Sequence, residues 1–305
     1  MKAEILKGIG NAVMKEIGER CEISFSEVTK NNSSVKQAVD IRRAGSMVST
    51  RIYVDGMLSK IESGRMSIHD AAAEIADIYQ YAEDGQFSDI TERLSREFIL
   101  KNVVYQIINT ERNAERLHTM PHRELLDLSA IYRVIVGSDS EGIASIAVSH
   151  EFCSIYGISG EELDISAMQN TREKGFCVMT MAEIIESMIG APIEGSKNDG
   201  FPMFILTNAS RDSGAAVMLY EEYFGELAEK LQSSLYVMPS SIHEVIAVPE
   251  DGFDPDDLRR MVSCVNAEEV ADEEILGYNV YRYDLEAERL EIAKERGEDG
   301  VPYRR

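Results

Sequence analysis

The chain has 305 residues, four cysteines and a formal net charge of −23. At ~100–200 residues per domain, this length predicts two domains or one two-lobed body, large enough to bury a core without disulfide staples. So acidic a chain lacks the basic footprint of sequence-independent nucleic-acid binding or of attachment to anionic membranes. What remains is protein partners, small ligands, an acidic face that mimics nucleic acid, or plain solubility.

Cys21, Cys153, Cys177 and Cys264 are far apart and form no C-x-x-C. They read as reduced, mostly buried thiols of a cytoplasmic protein. The opening MKAEILKGIGNAVMKEIGER is interrupted by acids and has no apolar h-region, so no signal peptide is expected. Nor is a membrane span, since no run of ~18 apolar residues occurs.

Ile5, Ile9, Val13 and Ile17 recur at steps of four, which predicts a helix over 2–18. Cys21–Thr29 alternates apolar and polar positions, and Lys30-Asn31-Asn32-Ser33-Ser34 is a turn cluster. Val35–Arg42 and Met47–Val54, separated by Ala44-Gly45-Ser46, complete a three-stranded antiparallel meander. Ser67 is placed to cap a helix running to Tyr81, with Ala71, Ile75 and Ile78 on one side. A further helix is expected from Ser88 to Phe98, and a strand over Val103–Ile108.

In MPHRELLDLSAIYRVIVGSDSEGIASIAVSH, two apolar runs flank Gly137–Gly142, a hairpin signal. Helices follow near Glu151–Tyr156 and Glu161–Arg172, then a short strand, Phe176–Met179. Thr180 with Glu183 makes a capping box that opens the helix MAEIIESMIG, and APIEGSKNDGFP is a loop.

The next stretch reads as strand, strand, helix, written twice. First come MFILTN, a polar tip over 209–213, GAAVMLY and the helix EEYFGELAEKLQ; then LYVM, the tip PSSIHE, VIAV and a helix opening at Asp254-Pro255-Asp256-Asp257. Tyr220, Phe224, Leu227 and Leu231 stripe the first helix, and Leu258, Met261, Val262 and Val265 the second. GYNVYRYDLEAERLEI is a last hairpin. The expected fold class is α+β, antiparallel sheets with helices packed on one face, in two lobes. The expected division is 1–118, a C-terminal domain of hairpin–helix units over 119–292, and a polar tail over 293–305.

Chemistry-bearing residues are sparse. Pro239 should stop a strand, Ser240 and Ser241 close a turn, and His243 and Glu244 enter the next strand on opposite faces. On an extended chain Ser241 and His243 share a face at ~6.5 Å between Cα atoms, too far apart for a nucleophile–base pair. His150-Glu151 and His243-Glu244 fail as zinc motifs, because Ser154 and Ala247 stand where the second histidine belongs. Pro121 separates His118 from His122, and Cys153 three residues after His150 reads as core. His122, Arg123 and Asp127 form a weak polar cluster. KGIGNAV lies in a helical pattern with no strand before it, and no P-loop or calcium loop occurs, so no cofactor or metal is expected.

Several blocks carry a resemblance: PMFILTN, SGAAVMLY, LAEKLQSSLYVMPSSIHEVIAVP, VNAEEVADEEILGYNVYRYD, MPHRELLDLSAIYRV and the early EVTKNN. Together they resemble an uncharacterised bacterial family known only as a domain of unknown function, common in anaerobic Gram-positive bacteria. SSIHEV and VNA are the most specific segments, and the likeness runs from about residue 20 to residue 284. Where the family has a serine-aspartate-like turn, this chain has Gly277-Tyr278-Asn279. The resemblance implies membership and no activity.

The reading that follows is a non-catalytic cytoplasmic binding or regulatory protein acting through a protein partner or small ligand. Its expected contact residues are Pro239, Ser240, Ser241, His243, Glu244, His122, Arg123 and Asn208. The alternative is a hydrolase or transferase using His122, His243 and Glu244, which requires the two histidines and a carboxylate to line one pocket.

Overall fold

The structure, a computed structural model, describes residues 2–18, 21–44, 49–84, 90–139, 142–180, 183, 184, 186 and 203–294. The chain divides into two compact units, Met1–Ser95 and Arg96–Arg305. Three antiparallel sheets and their covering helices make the fold α+β.

The first unit runs α1 (Lys2–Ile17), β1 (Cys21–Thr29), β2 (Val35–Arg43), β3 (Thr50–Tyr53), α2 (Asp55–Glu62), α3 (Ile68–Asp84) and α4 (Ile90–Arg93). Its strands form the expected meander, with β2 in the middle. The helical stripe buries Ile9 and Val13 against Val39 and Ile41 of β2 and Ala71 and Ile75 of α3. Ser67 caps α3 reciprocally: its Oγ accepts from Asp70 N at 3.1 Å, and Asp70 Oδ2 accepts from Ser67 N at 3.1 Å. Helix α2 is one that the sequence reading missed. Asp55 at its start accepts from the Gln37 amide of β2 at 2.9 Å, a partner 18 residues away that local sequence does not reveal.

The second unit opens with α5 (Arg96–Asn102), β4 (Val103–Asn109) and α6 (Ala114–Leu117). Then come β5 (His122–Leu125), β6 (Leu128–Asp139), β7 (Gly142–Ala147), α7 (His150–Tyr156) and α8 (Gly160–Glu173). Long β6 pairs with β4 along one side, and with β5 and then β7 along the other. Because β4 pairs with β6, the division falls after Ser95 rather than at the expected 118/119. The outer edge of β4 is closed by α8: Tyr105 N donates to Thr171 Oγ1 at 2.9 Å, and Asn170 Nδ2 donates to the carbonyls of Leu100 and Val103.

The rest of the unit comprises β8 (Phe176–Thr180), β9 (Phe204–Asn208), α9 (Glu221–Leu231), β10 (Leu235–Ser241), β11 (Glu244–Pro249), α10 (Pro255–Glu268), β12 (Tyr281–Asp284) and β13 (Arg289–Ile292). Six strands form one sheet in the order β13-β12-β10-β11-β9-β8, all antiparallel. Helix α9 buries Phe224 and Leu227, with the Phe224 ring stacked 6.1 Å from Tyr283. Each such buried side chain contributes roughly 1.5–3 kcal/mol. Within the hairpin expected over residues 277–292, Tyr281–Asp284 pairs with Arg289–Ile292, and Thr180 and Glu183 make the capping-box contacts. Most of the helix opened by that box, the loop over 191–202, the tip of the β6–β7 hairpin and the tail beyond 294 lie outside the described residues.

Three expectations are corrected. GAAVMLY is not a strand: Gly214–Leu219 is a 3-10 helix, so the strand-strand-helix unit is not written twice. A fully buried apolar run of this length looks the same for strand and helix. The stripe on α10 is Leu258, Val262 and Asn266, while Met261 and Val265 are exposed. Pro239 does not end β10. It pairs with Val245, and β12 pairs with β10 only as far as Val237, so no ladder partner on that side needs the missing N–H.

Two outcomes follow. A Cβ at Gly214 would fall inside contact distance of Thr207 Oγ1 and the His243 carbonyl, and 2.8 Å from Asn208 N. Gly214→Ala should therefore lose about 3 kcal/mol or more in urea unfolding, and a loss under ~1 kcal/mol would contradict this packing. At the β12–β13 turn, the Ala287 amide and then the Arg282 guanidinium hold the Asp284 carboxyl down at about 2. Its folded value lies below the unfolded one of ~3.9, so its stabilisation is complete above pH ~4 and fades as pH falls towards ~2. Asp284→Asn should flatten that part of the acid-unfolding curve.

Candidate functional site

The two polar tips read separately in the sequence form one structure. Ile242 and His243 occupy the β10–β11 turn, with a register irregularity between Pro239 and Ser241. His243 is therefore in the bend and not in the following strand, and Ser241 Oγ accepts from its backbone N at 3.1 Å. Ser240 Oγ donates to Glu244 Oε1 at 3.4 Å.

The bend is clamped from three sides. Thr207 Oγ1 donates to the His243 carbonyl at 2.8 Å, Ala215 N to the Ile242 carbonyl at 3.3 Å, and Ile242 N to the Glu274 carbonyl at 2.9 Å. Asn208 organises the loop beside it. Its Oδ1 accepts from Asp212 N at 3.2 Å and Ser210 Oγ at 2.9 Å, and its Nδ2 donates to the Asp212 carbonyl at 2.7 Å. Arg211 and Ser213 take left-handed backbone, with φ of 52° and 56°, to close this loop.

The imidazole of His243 lies among these groups, 31% exposed. Nδ1 accepts from Ser213 N at 3.2 Å, which places the hydrogen of the neutral ring on Nε2. Nε2 is 3.6 Å from Glu274 Oε1, and Nδ1 is 3.8 Å from Asp212 Oδ1. Lys174, whose ammonium is pushed down by burial and partly restored by the Asp212 charge, is a cationic influence on that carboxylate. Among the described residues no lysine or arginine forms an ion pair with Asp212 or Glu274. Nor does any hydroxyl or thiol side chain hydrogen-bond a histidine ring.

Glu274 belongs to a third segment that sequence reasoning missed. Arg112 bonds Asp272 at 2.6 Å, Asn109 Nδ2 reaches the Leu276 carbonyl at 3.4 Å, and Asn266 Nδ2 donates to the Gly277 carbonyl at 2.9 Å. Asn279 Nδ2 and the Tyr281 hydroxyl both donate to Asp127, at 2.9 and 2.8 Å. Burial, reinforced by the Asp127 charge, raises the Tyr281 hydroxyl well above the usual tyrosine range. Asp127 thus serves the 277–281 turn and does not join His122 and Arg123.

His122 and Arg123 line a separate shallow cleft with Met120, Pro121, Tyr132, His150, Gly160 and Asp164. Neither His243 nor Glu244 lines it, so the residues of the catalytic alternative are not gathered in one cleft. The cysteines are free; Cys21 is buried, Cys153 and Cys177 are half-buried, and Cys264 is exposed against expectation. Burial pushes the Cys153 thiol up, the opposite of nucleophile activation. Among the described residues no group of three or more histidine, cysteine or acidic side chains is placed to hold a metal ion. No helix among them is long and apolar enough to cross a membrane.

His243→Ala should leave the Ser213 amide without its acceptor. A loss of about 1–3 kcal/mol and faster native-state hydrogen exchange at Ser213 are expected, and unchanged protection there would contradict the bond.

Residues 3–285 match the model of a family described as a family of unknown function, DUF5688, and the chain belongs to that family. No curated protein and no solved structure matches the chain.

Proposed function

We propose that this member of the family is a non-catalytic cytoplasmic binding or regulatory protein, and that the rim formed by Asp212, His243, Glu244 and Glu274 docks a basic segment of a protein partner. The observation that carries the reading is the pair of carboxylates flanking one half-buried imidazole with no lysine or arginine ion pair among the described residues. A basic side chain entering between them supplies a close countercharge, since Lys174 acts on Asp212 without forming an ion pair with it. The ring itself is occupied in holding the Ser213 amide, which supports a recognition role over a catalytic one. The clamped bend presents this rim with little conformational freedom left to lose on binding.

The test is fluorescence anisotropy of labelled oligo-lysine and oligo-arginine peptides against the intact chain at physiological salt. Asp212→Asn with Glu274→Gln should weaken binding roughly five- to thirty-fold, the effect of two half-exposed ion pairs. Asp251→Asn with Glu161→Gln removes two exposed acids away from the rim and should change it less than ~2-fold. Equal losses in both double variants would show attraction to overall charge alone, and that outcome, or no binding at all, would end the proposal.

A further inference from the structure

The cleft that holds His122 and Arg123 contains a second, differently built arrangement. Its centre is Asp164 on α8. The Tyr105 and Tyr132 hydroxyls both donate to Asp164 Oδ1, at 2.5 and 2.7 Å. These tyrosines are register partners on β4 and β6, so the ladder brings their rings to 5.3 Å and aims both hydroxyls at one oxygen. Burial, and then the Asp164 carboxylate, raises both hydroxyls well above the usual tyrosine range, so they remain donors at any physiological pH.

Two donors fill the two in-plane lone pairs of Oδ1. Oδ2 is left with Arg123 Nη1 at 3.8 Å, beyond hydrogen-bond distance. Arg123, on β5, is 45% exposed; besides Asp164 its guanidinium reaches the Tyr105 hydroxyl, which leaves most of its N–H donors unused. The cleft therefore offers a positioned acceptor with unused lone pairs beside a planar cation with unused donors. Around them stand Met120, Pro121 and the Tyr132 ring, with His150 at the margin. His122 Nδ1 donates to the Met120 carbonyl at 3.0 Å, which leaves Nε2 as an acceptor. The volume is about 570 Å³, within the ordinary range for a small-molecule site.

A ligand with a single charge would satisfy one of these two groups and strip water from the other without return. A ligand carrying an anion and a cation one carbon apart satisfies both. We propose that this cleft binds a small zwitterion, an α-amino acid, with its carboxylate on the Arg123 guanidinium and its ammonium on Asp164 Oδ2. The side chain lies along Met120, Pro121 and Tyr132. None of Asp212, His243, Glu244 and Glu274 lines this cleft, so the inference does not depend on the partner-docking reading. The opening is broad, so a dissociation constant of the order of 0.1 mM is expected.

The experiment is isothermal titration of the full chain with each common L-amino acid, and then with the N-acetyl and carboxamide derivatives of any that bind. Inorganic phosphate is the single-charge control. Saturable binding of at least one amino acid is expected, weakened at least ~10-fold by either derivative and by Arg123→Gln. Arg123 is exposed, so that variant should fold with an unchanged melting temperature. Asp164→Asn keeps an acceptor for the tyrosines but removes the charge, and should weaken the amino acid while sparing its N-acetyl form. Absence of amino-acid binding at ~10 mM, equal binding of the N-acetyl form, or indifference to Arg123→Gln would each overturn the site. Phosphate binding as tight as the amino acid would show an anion site and overturn it too.

Discussion

The hydrogen bond from the Thr207 hydroxyl to the His243 carbonyl sets the architecture of the second unit. It forms because residue 214 has no Cβ, which lets the 3-10 helix after the 208–213 loop press directly against the β10–β11 bend. With that approach fixed, Ala215 meets the Ile242 carbonyl and Ser213 meets the imidazole. The side-chain chemistry left over is then decided by geometry: one imidazole nitrogen is consumed, and two carboxylates remain on its flanks. A single glycine thus converts two loops that are unremarkable in sequence into one surface.

The charges of the second unit are managed in two ways. Arg282 shows the closed solution. Its guanidinium meets both carboxylate oxygens of Glu250, at 2.7 and 2.9 Å, and bonds Asp284 at 2.5 Å. These contacts, led by the Glu250 bond, raise the guanidinium further above its ordinary range and tie β12 to the residue that follows β11. The rim around His243 and the cleft around Asp164 are open by comparison, with charges held in place by neutral donors and backbone. In a chain with net charge −23, carboxylates whose hydrogen bonds come mainly from neutral donors raise the local field for any cation that arrives.

Much of the fold is legible from local rules. Period and caps locate α1, α3 and α10, where Ser67 and Asp254 with Pro255 mark the starts of the last two. Alternation locates the meander, and proline and acids locate the helix after the second tip. Residues 214–219 are misread because their apolar run is buried all round, and the contact that ties them to the neighbouring bend, Ala215 N to the Ile242 carbonyl, is tertiary. The site is half legible for the same reason. Asn208, the 209–213 tip with Asp212 and Ser213, Ser241 and His243 stand out as polar residues between apolar runs, but the meeting of the two tips and the arrival of Glu274 come only through tertiary contacts. Asp164 carries no signal at all. It sits among helix-surface acids, and only the pairing of Tyr105 with Tyr132 distinguishes it.

The side chains of Asn170 and Thr171 that close the outer side of β4 have a consequence for how copies of this chain meet one another. An open strand border invites another strand to add to it, the route by which sheets recruit neighbours and grow into fibres. Here the amide that such a visitor would seek is already spoken for by a hydroxyl from the covering helix. The sheet that carries Tyr105 and Tyr132 is shut to templated stacking along that border, even in a crowded solution.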